Sequence, residues 1–479
     1  MASCTRVTNV PFAETGTIRY SHRMAAPKKK PKPAVNVAKR FAALEAERAA
    51  QMPSPYLSPP TAVIYVALSV LILSYSWMFD VVPILILLLM WASPLLTKGF
   101  HVLRPSRAMA WVLALPALCI LSTIWSGYPA TTLYLATAFL AMMACTIIAH
   151  RVVKFPALAQ GLVIGISITL LLSLISNKYA MDSVSKTYAL VGYFGSKNTV
   201  GFTAEMGLLT SIILFFSSRG FIKKLLLAVI PFIICAYSLY LCRSATALIT
   251  LIGVIGIIAA LYALTRMSRQ LRLLSLVIGF FLVVPLTVGS VIFDGKTALL
   301  KAMGKDPTLT GRTYLWEEGT KIGWEKPLLG HGYSAFWVRG EPRAEHYWQE
   351  FAINARMGFH FHSTFIQSFV DVGFVGLAVI TLLMLLSVFQ ALRAAIRHHM
   401  HAESAWLLAF SAMFLTRAFV EIDMLGPFGI GAMLFFGILV RAEALNAARK
   451  AVPIKAPKGA KQPSGKSAAR AVRRPKRRA

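Results

Sequence analysis

Long apolar runs broken by short polar links dominate the chain between residues 61 and 441. A bilayer core about 30 Å thick needs roughly 20 apolar residues per helix. The pattern therefore predicts twelve spans, near 61–79, 81–97, 108–125, 131–149, 157–176, 199–216, 223–241, 245–264, 272–292, 363–389, 404–420 and 425–441. The first two are short and meet at Asp80. The last two are separated by only a few residues and suggest a helical hairpin. The expected fold is all-α: a polytopic membrane protein of about twelve transmembrane helices. Spans one to nine fall in 61–292 and spans ten to twelve in 363–441, with one large loop at 293–362 between them. The flanking segments 1–60 and 442–479 read as basic, largely disordered tails.

Composition agrees with this pattern. The 479 residues are 57% hydrophobic and only 14% charged, against about 25% charged in soluble domains. A disordered chain, a disulfide scaffold and an ordinary cytosolic enzyme are excluded. The formal charge is +31, and much of it sits at the ends. Residues 1–50 hold ten Lys/Arg and three Glu, and residues 449–479 hold twelve Lys/Arg and no acid. Such a basic chain raises nucleic acid as a partner. Here the excess flanks membrane spans, so membrane lipids and topology control explain it and no nucleic acid is expected. Residues 1–60 lack the apolar core of a secretory signal. The run Pro27-Lys28-Lys29-Lys30-Pro31-Lys32-Pro33 reads as an extended tail, and 34–50 as a short surface helix. Met24 offers an alternative start. Cys4, Cys119, Cys145, Cys235 and Cys242 show no metal-knuckle spacing, so neither a disulfide nor a zinc site is expected.

Loop charges set a topology. With the N-terminus in the cytoplasm, the inside loops at 98–107, 150–156, 217–222, 265–271 and 390–403, with their edges, carry thirteen Lys/Arg against one acid, Glu403. The short outside links at 80, 126–130 and 421–424 carry no Lys or Arg. Both termini are then cytoplasmic. The large loop 293–362 lies outside, mixes nine Lys/Arg with eight acids, and contains Trp316, Trp324, Trp337 and Trp348. Long loops of this kind are usually functional. Its stretch Arg312–Trp324 has apolar residues at helical spacing and suits the membrane surface.

Charges near a bilayer are expensive and usually functional. Five places stand out: Lys197-Asn198 entering span six, Arg243 between spans seven and eight, Arg312 in the large loop, His360/His362 entering span ten, and Arg417 with Glu421 at the end of span eleven. The topology puts all five at the outer face. Arginine grips phosphate oxygens with paired hydrogen bonds, and histidine can take a proton from a hydroxyl. Together they fit glycosyl transfer from a lipid pyrophosphate, with no divalent metal or cofactor required. Blander roles stand beside these. Arg243 and Lys197 also suit lipid headgroups, Asn198 suits a helix N-cap, and Arg417–Glu421 suits an i,i+4 helix pair. Glu205 should face the bundle interior. His360-x-His362 as a metal pair lacks an evident third ligand.

These residues sit in a recognisable order. The pieces are Leu121–Pro129, Gly195-Ser196-Lys197-Asn198, Cys242-Arg243-Ser244, Gly311-Arg312-Thr313, Pro327–Tyr333, His362-Ser363-Thr364-Phe365 and Gly373–Leu377. In order and in spacing around one large loop, the chain resembles the O-antigen ligase / polysaccharide polymerase superfamily of bacterial membrane proteins. The resemblance implies a twelve-helix, inverting, metal-independent glycosyltransferase in the inner membrane, with its site on the periplasmic face. Its donor would be an undecaprenyl-pyrophosphate-linked glycan and its acceptor a glycan or lipid, with polysaccharide assembly proteins as possible partners. It further implies that Arg243 and Arg312 bind pyrophosphate, that His362 is the base, and that Lys197-Asn198 is the family's Lys-Asn motif. Ser363 stands where the family often has Asn, and His360 leaves two candidate imidazoles. The basic N-terminal tail and compact loop look most like the exopolysaccharide-production branch. A transporter of lipid-linked glycan and a scaffold of an assembly complex are the competing classes. A transporter would place polar groups near the midplane of two related halves, and no internal repeat is present.

Overall fold

The computed structural model describes residues 56–75, 78, 82–181, 187–268, 270–271, 274–275, 311–356 and 358–448. Most of both expected tails, the 34–50 helix, nearly all of the 272–292 span and the start of the large loop lie outside the described residues; where the tails are described, 59–60 and 442–448 are helical rather than disordered. Apolar runs form helices α1 (Pro59–Tyr75), α2 (Val82–Lys98), α3 (Arg107–Leu121), α4 (Pro129–Val152) and α5 (Phe155–Ile175). A short antiparallel pair follows, β1 (Tyr179–Met181) with β2 (Tyr188–Leu190). Next come α6 (Lys197–Ser217), α7 (Phe221–Cys242, with a π-helical turn at Leu225–Val229) and α8 (Ala245–Arg266). The large loop contributes α9 (Arg312–Glu325) and α10 (Pro342–Glu350), and the chain closes with α11 (Thr364–Arg397), α12 (Ala402–Arg417) and α13 (Ile430–Ala448).

Among the described residues, eight helices are long and apolar enough to cross a membrane. They are α3 with its extension to Ile124, α4 to α8, α11 and α13. At the two N-terminal predicted spans stand shorter apolar helices, α1 and α2, of 17 residues each. At 404–420 stands α12, of 16 residues. The described residues therefore fall short of twelve full spans. The physical reasons are local. The chain turns away after Arg417, whose side chain is drawn into the interior. The last helix starts at Ile430 rather than 425, because Gly426-Pro427 breaks the run and Phe428 takes a left-handed φ of 53°.

The helices pack as α1 on α5, α6 on α7, α3 on α4, α8 on α12, and α11 on both α12 and α13. Trp406, Phe410, Phe414, Phe435 and Phe436 are fully buried between α12 and α13, and Trp406 stacks on Phe410 at 4.1 Å. Short links alternate the helix directions. The starts of α6, α8 and α11 and the ends of α7 and α12 therefore meet at one end of the bundle. At the opposite end Arg441 ties Glu403 (2.6 Å) to the Val153 carbonyl (2.9 Å).

The described part of the large loop is not a loose connection. It packs about its own core of Leu315, Ile322, Phe336, Tyr347, Trp348 and Phe361. Its α9 lies against α11. That approach needs Gly323, because a Cβ there would collide with the Phe369 ring. The loop also clamps α11 at a break. Val372 and Gly373 leave helical geometry, Gly373 with φ 64° and ψ −161°. A broken membrane helix exposes backbone groups that must find other partners. Segment 327–332 supplies them: Phe374 N–H donates to Pro327 O (2.8 Å), His331 N–H to Val370 O (2.9 Å) and Gly332 N–H to Asp371 O (2.8 Å).

Gly373 occupies a region nearly confined to glycine, and a Cβ would collide with the Leu328 carbonyl. Gly373→Ala should destabilise the fold by about 1–3 kcal/mol or more. Gly253→Ala, whose Cβ meets nothing within 4 Å, is the control. Thermal unfolding of the detergent-solubilised protein checks this, and equal midpoints for the two variants would refute it.

Candidate active site

Three distant segments meet where α9, α11 and α12 end or begin. Arg312 is the first residue of α9, preceded by Gly311 in a left-handed turn (φ 81°). His360 and His362 lie on the irregular entry to α11, which Ser363 caps by accepting from Ile366 N–H. Glu421 lies in the link after α12. Thr364 fastens that link to α11, donating its N–H to Ala418 O (2.9 Å) and its hydroxyl to Glu421 O (2.7 Å).

Glu421 is the hub. Its Oε1 accepts from Arg312 Nη2 at 2.6 Å, and its Oε2 lies 3.6 Å from His362 Nδ1. Arg312 also donates to the Val420 carbonyl (2.9 Å). Burial opposes ionisation of Glu421, but the His362 ring and the Arg312 charge outweigh it and hold the carboxyl well below its usual range. His362 is pinned on both sides of its backbone. Its N–H donates to His360 Nδ1 (3.0 Å) and its carbonyl accepts from Trp316 Nε1 (3.2 Å). It takes a left-handed φ of 48°, which costs an L-residue about 1–3 kcal/mol. The two imidazole centroids are 4.1 Å apart.

Behind this cluster lies a largely enclosed ion network. Arg417, 1% exposed, donates to Asp423 (2.6 and 3.2 Å) and to Glu205 on α6 (3.1 Å). Its guanidinium lies over the Phe202 ring at 4.5 Å. The expected Arg417–Glu421 side-chain pair does not form. The helix ends at Arg417, and although the Glu421 N–H still donates to the Arg417 carbonyl (2.8 Å), the side chains part, Arg417 to Asp423 and Glu205 and Glu421 to Arg312. Glu205 does face the interior.

The remaining cations form a second cluster. Arg243 is an exposed left-handed residue (φ 49°) between α7 and α8. Ser244 caps α8 and approaches Asn198 Oδ1 at 3.4 Å. Ser196, not Asn198, holds the N-cap position of α6; Lys197 and Asn198 form its first turn. Arg243 and Ser244 stand at a groove of about 750 Å3 walled by Leu208, Ile212, Phe232, Leu239 and Leu248. No contact among the described residues joins Arg243 to the histidines.

A family model described as O-antigen ligase matches residues 230–381. The exopolysaccharide production protein ExoQ of Rhizobium meliloti (strain 1021) is 32% identical over 372 residues, which is 77% of this chain and 85% of that protein. The chain belongs to the O-antigen ligase / polysaccharide polymerase superfamily. In this O-antigen ligase-type membrane protein, the matched segment contains Arg243, Arg312, His360 and His362 and ends before the carboxylate that organises two of them.

Sequence reasoning missed Asp423 altogether and left Glu205 without a partner. An acid flanked by Ile422 and Met424 in a short apolar link was the available signal. It also found no third group beside His360 and His362. Glu421 is that group, with one ligand atom from each of the three within 4.8 Å. The Arg312 guanidinium already neutralises Glu421 and opposes a divalent cation there.

Burial, and then the neighbouring His362 ring, push the His360 pKa from 6.5 down to about 3. A group whose pKa falls on folding supports the fold above its unfolded pKa. That support is lost as pH drops toward the folded value. Thermal stability should therefore decline as pH falls from about 7 to about 4, and His360→Gln should flatten the decline. An unchanged slope in the variant, read by melting curves across that range, would count against the assignment.

Proposed function

We propose that this chain transfers or polymerises glycan from an undecaprenyl-pyrophosphate-linked donor at the periplasmic face of the bacterial inner membrane. The observation that carries the reading is the convergence of Arg312, Glu421 and His362 from three distant segments at one end of the bundle. Glu421 beside Nδ1 favours a proton on that nitrogen and leaves Nε2 of His362 as the base. His360 accepts the His362 N–H at Nδ1, so its own proton sits on Nε2. That tautomer suits a supporting group rather than a base, and it favours His362 between the two imidazoles.

In this reaction the acceptor hydroxyl attacks the sugar C1 as His362 takes its proton. The C1–O bond to phosphate breaks, and the leaving polyprenyl diphosphate keeps the electron pair. Attack opposite the leaving group inverts the anomeric centre. Glu421 stabilises the imidazolium that forms, as a carboxylate does beside a catalytic histidine elsewhere. Arg312 holds Glu421 in place, and its charge lies next to the reacting groups. The apolar groove below Arg243 suits a prenyl chain. Arg243 and Lys197 at the end of the bundle suit the diphosphate, for which arginine offers paired donors. Periplasmic placement rests on the loop charges, which put this end outside.

Polymer yield in cells lacking the native copy provides the test. His362→Ala at wild-type protein level should lower it by about 100-fold or more, the scale of lost general-base catalysis. Glu421→Gln, which keeps the shape, should lower the limiting rate more than the acceptor requirement. Arg243→Ala should chiefly raise the donor concentration needed. Normal polymer from His362→Ala sinks the proposal.

A further inference from the structure

The described part of the large loop holds a second recess, separate from the histidine cluster. It encloses about 380 Å3, with Arg339, Gln349, Asn354 and Arg356 around it. Trp348 forms its inner wall. That residue is 2% exposed, and its indole N–H finds no acceptor among the described residues. A buried unpaired donor is unfavourable unless something completes it.

The recess is electropositive. Arg339 donates one Nη2 bond, to Ala355 O at 3.4 Å. Arg356 pairs through Nε with Glu345 Oε2 at 3.0 Å, which keeps the forked end of its guanidinium available among the described residues. Glu345 is also held by the Gly340 N–H at 3.1 Å. Arg339 pairs with no carboxylate among the described residues, which leaves one positive charge at the recess. The side-chain amides of Gln349 and Asn354 add neutral donors and acceptors of the kind that pair with hydroxyls.

The recess connects to the histidines through aromatic rings. Trp348 lies 6.2 Å from Trp337, Trp337 lies 4.9 Å from Phe361 and 5.1 Å from Phe359, and Phe359 lies 6.1 Å from His362. Trp348 and Phe361 are themselves enclosed, so these rings form a packed wall that joins the recess to the histidine site.

We propose that this recess is an acceptor subsite for a carboxylate-bearing sugar, with Arg339 and Arg356 gripping the acid and Trp348 forming its floor. The proposal rests on the glycosyl-transfer reading for its role, but its binding chemistry stands apart. An acidic sugar satisfies the excess charge by bidentate Arg–carboxylate pairing, and its hydroxyls match the two amides. A neutral sugar satisfies only the second.

The full chain in lipid nanodiscs can be titrated calorimetrically with tetragalacturonate and with its fully methyl-esterified form. The free acid should bind at least ~10-fold more tightly, the scale of one charge-assisted hydrogen bond. The double variant Arg339→Gln/Arg356→Gln should lose that preference. Glu345→Gln, which removes the competing carboxylate, should strengthen acid binding several-fold, a gain that misfolding does not mimic. His362→Ala should keep the preference, so failure of the base assignment is read separately from failure of the subsite. Equal binding of the two probes by the wild type overturns the proposal. So does a preference that survives in the double variant or that Glu345→Gln leaves unchanged.

Discussion

A guanidinium enclosed among membrane helices has to be neutralised where it stands. Arg417 meets that requirement with Asp423 on one side and Glu205 on the other. Removing one member of such a set leaves an uncompensated buried charge, which costs about 3–5 kcal/mol. The network therefore locks the start of α6, the end of α12 and the 418–423 link together. Glu421 is carried by that same link, four residues from Arg417 and two from Asp423, so its position follows from their pairing.

The histidine site is built outward from this lock. The link binds α11 through Thr364, and α11 carries the histidines at its entry. The large loop closes the arrangement from the other side, with α9 lying on α11 through Gly323 and Trp316 holding the His362 carbonyl. The break at Val372–Gly373 lets segment 327–332 insert its backbone into the helix. That insertion anchors the loop which supplies Arg312. An imidazole held in a left-handed conformation by bonds to its N–H and its carbonyl is pre-positioned, and the strain it stores is offset by the packing around it.

The two clusters of cations divide along the same architecture. Arg243, Lys197 and Asn198 gather where α6, α7 and α8 meet, beside an apolar groove. Arg312 and the histidines gather under the large loop. Glu205 ties them mechanically. It lies on α6 about two turns beyond Asn198, and it bonds the arginine that positions the link to Glu421. In the proposed reaction, a lipid-held donor would take one side and an extended, polar acceptor the other.

Much of this was legible from hydropathy and charge. Apolar run lengths located most of the long helices, and the isolated polar residues named His360, His362, Arg312, Arg243 and Glu421. Helix length was read less well, because hydropathy does not register where a buried ion pair or a Gly-Pro step stops a helix. Partnership was not legible at all. Glu421 stands four residues from Arg417 and 109 from Arg312, yet it pairs with the distant one, because the helix ends between the near pair and folding brings the far pair within 2.6 Å. Residue type and spacing along a chain record which groups are out of place in a bilayer. Which of them neutralise one another is set by where helices stop and how they cross, and that geometry exists only once they pack.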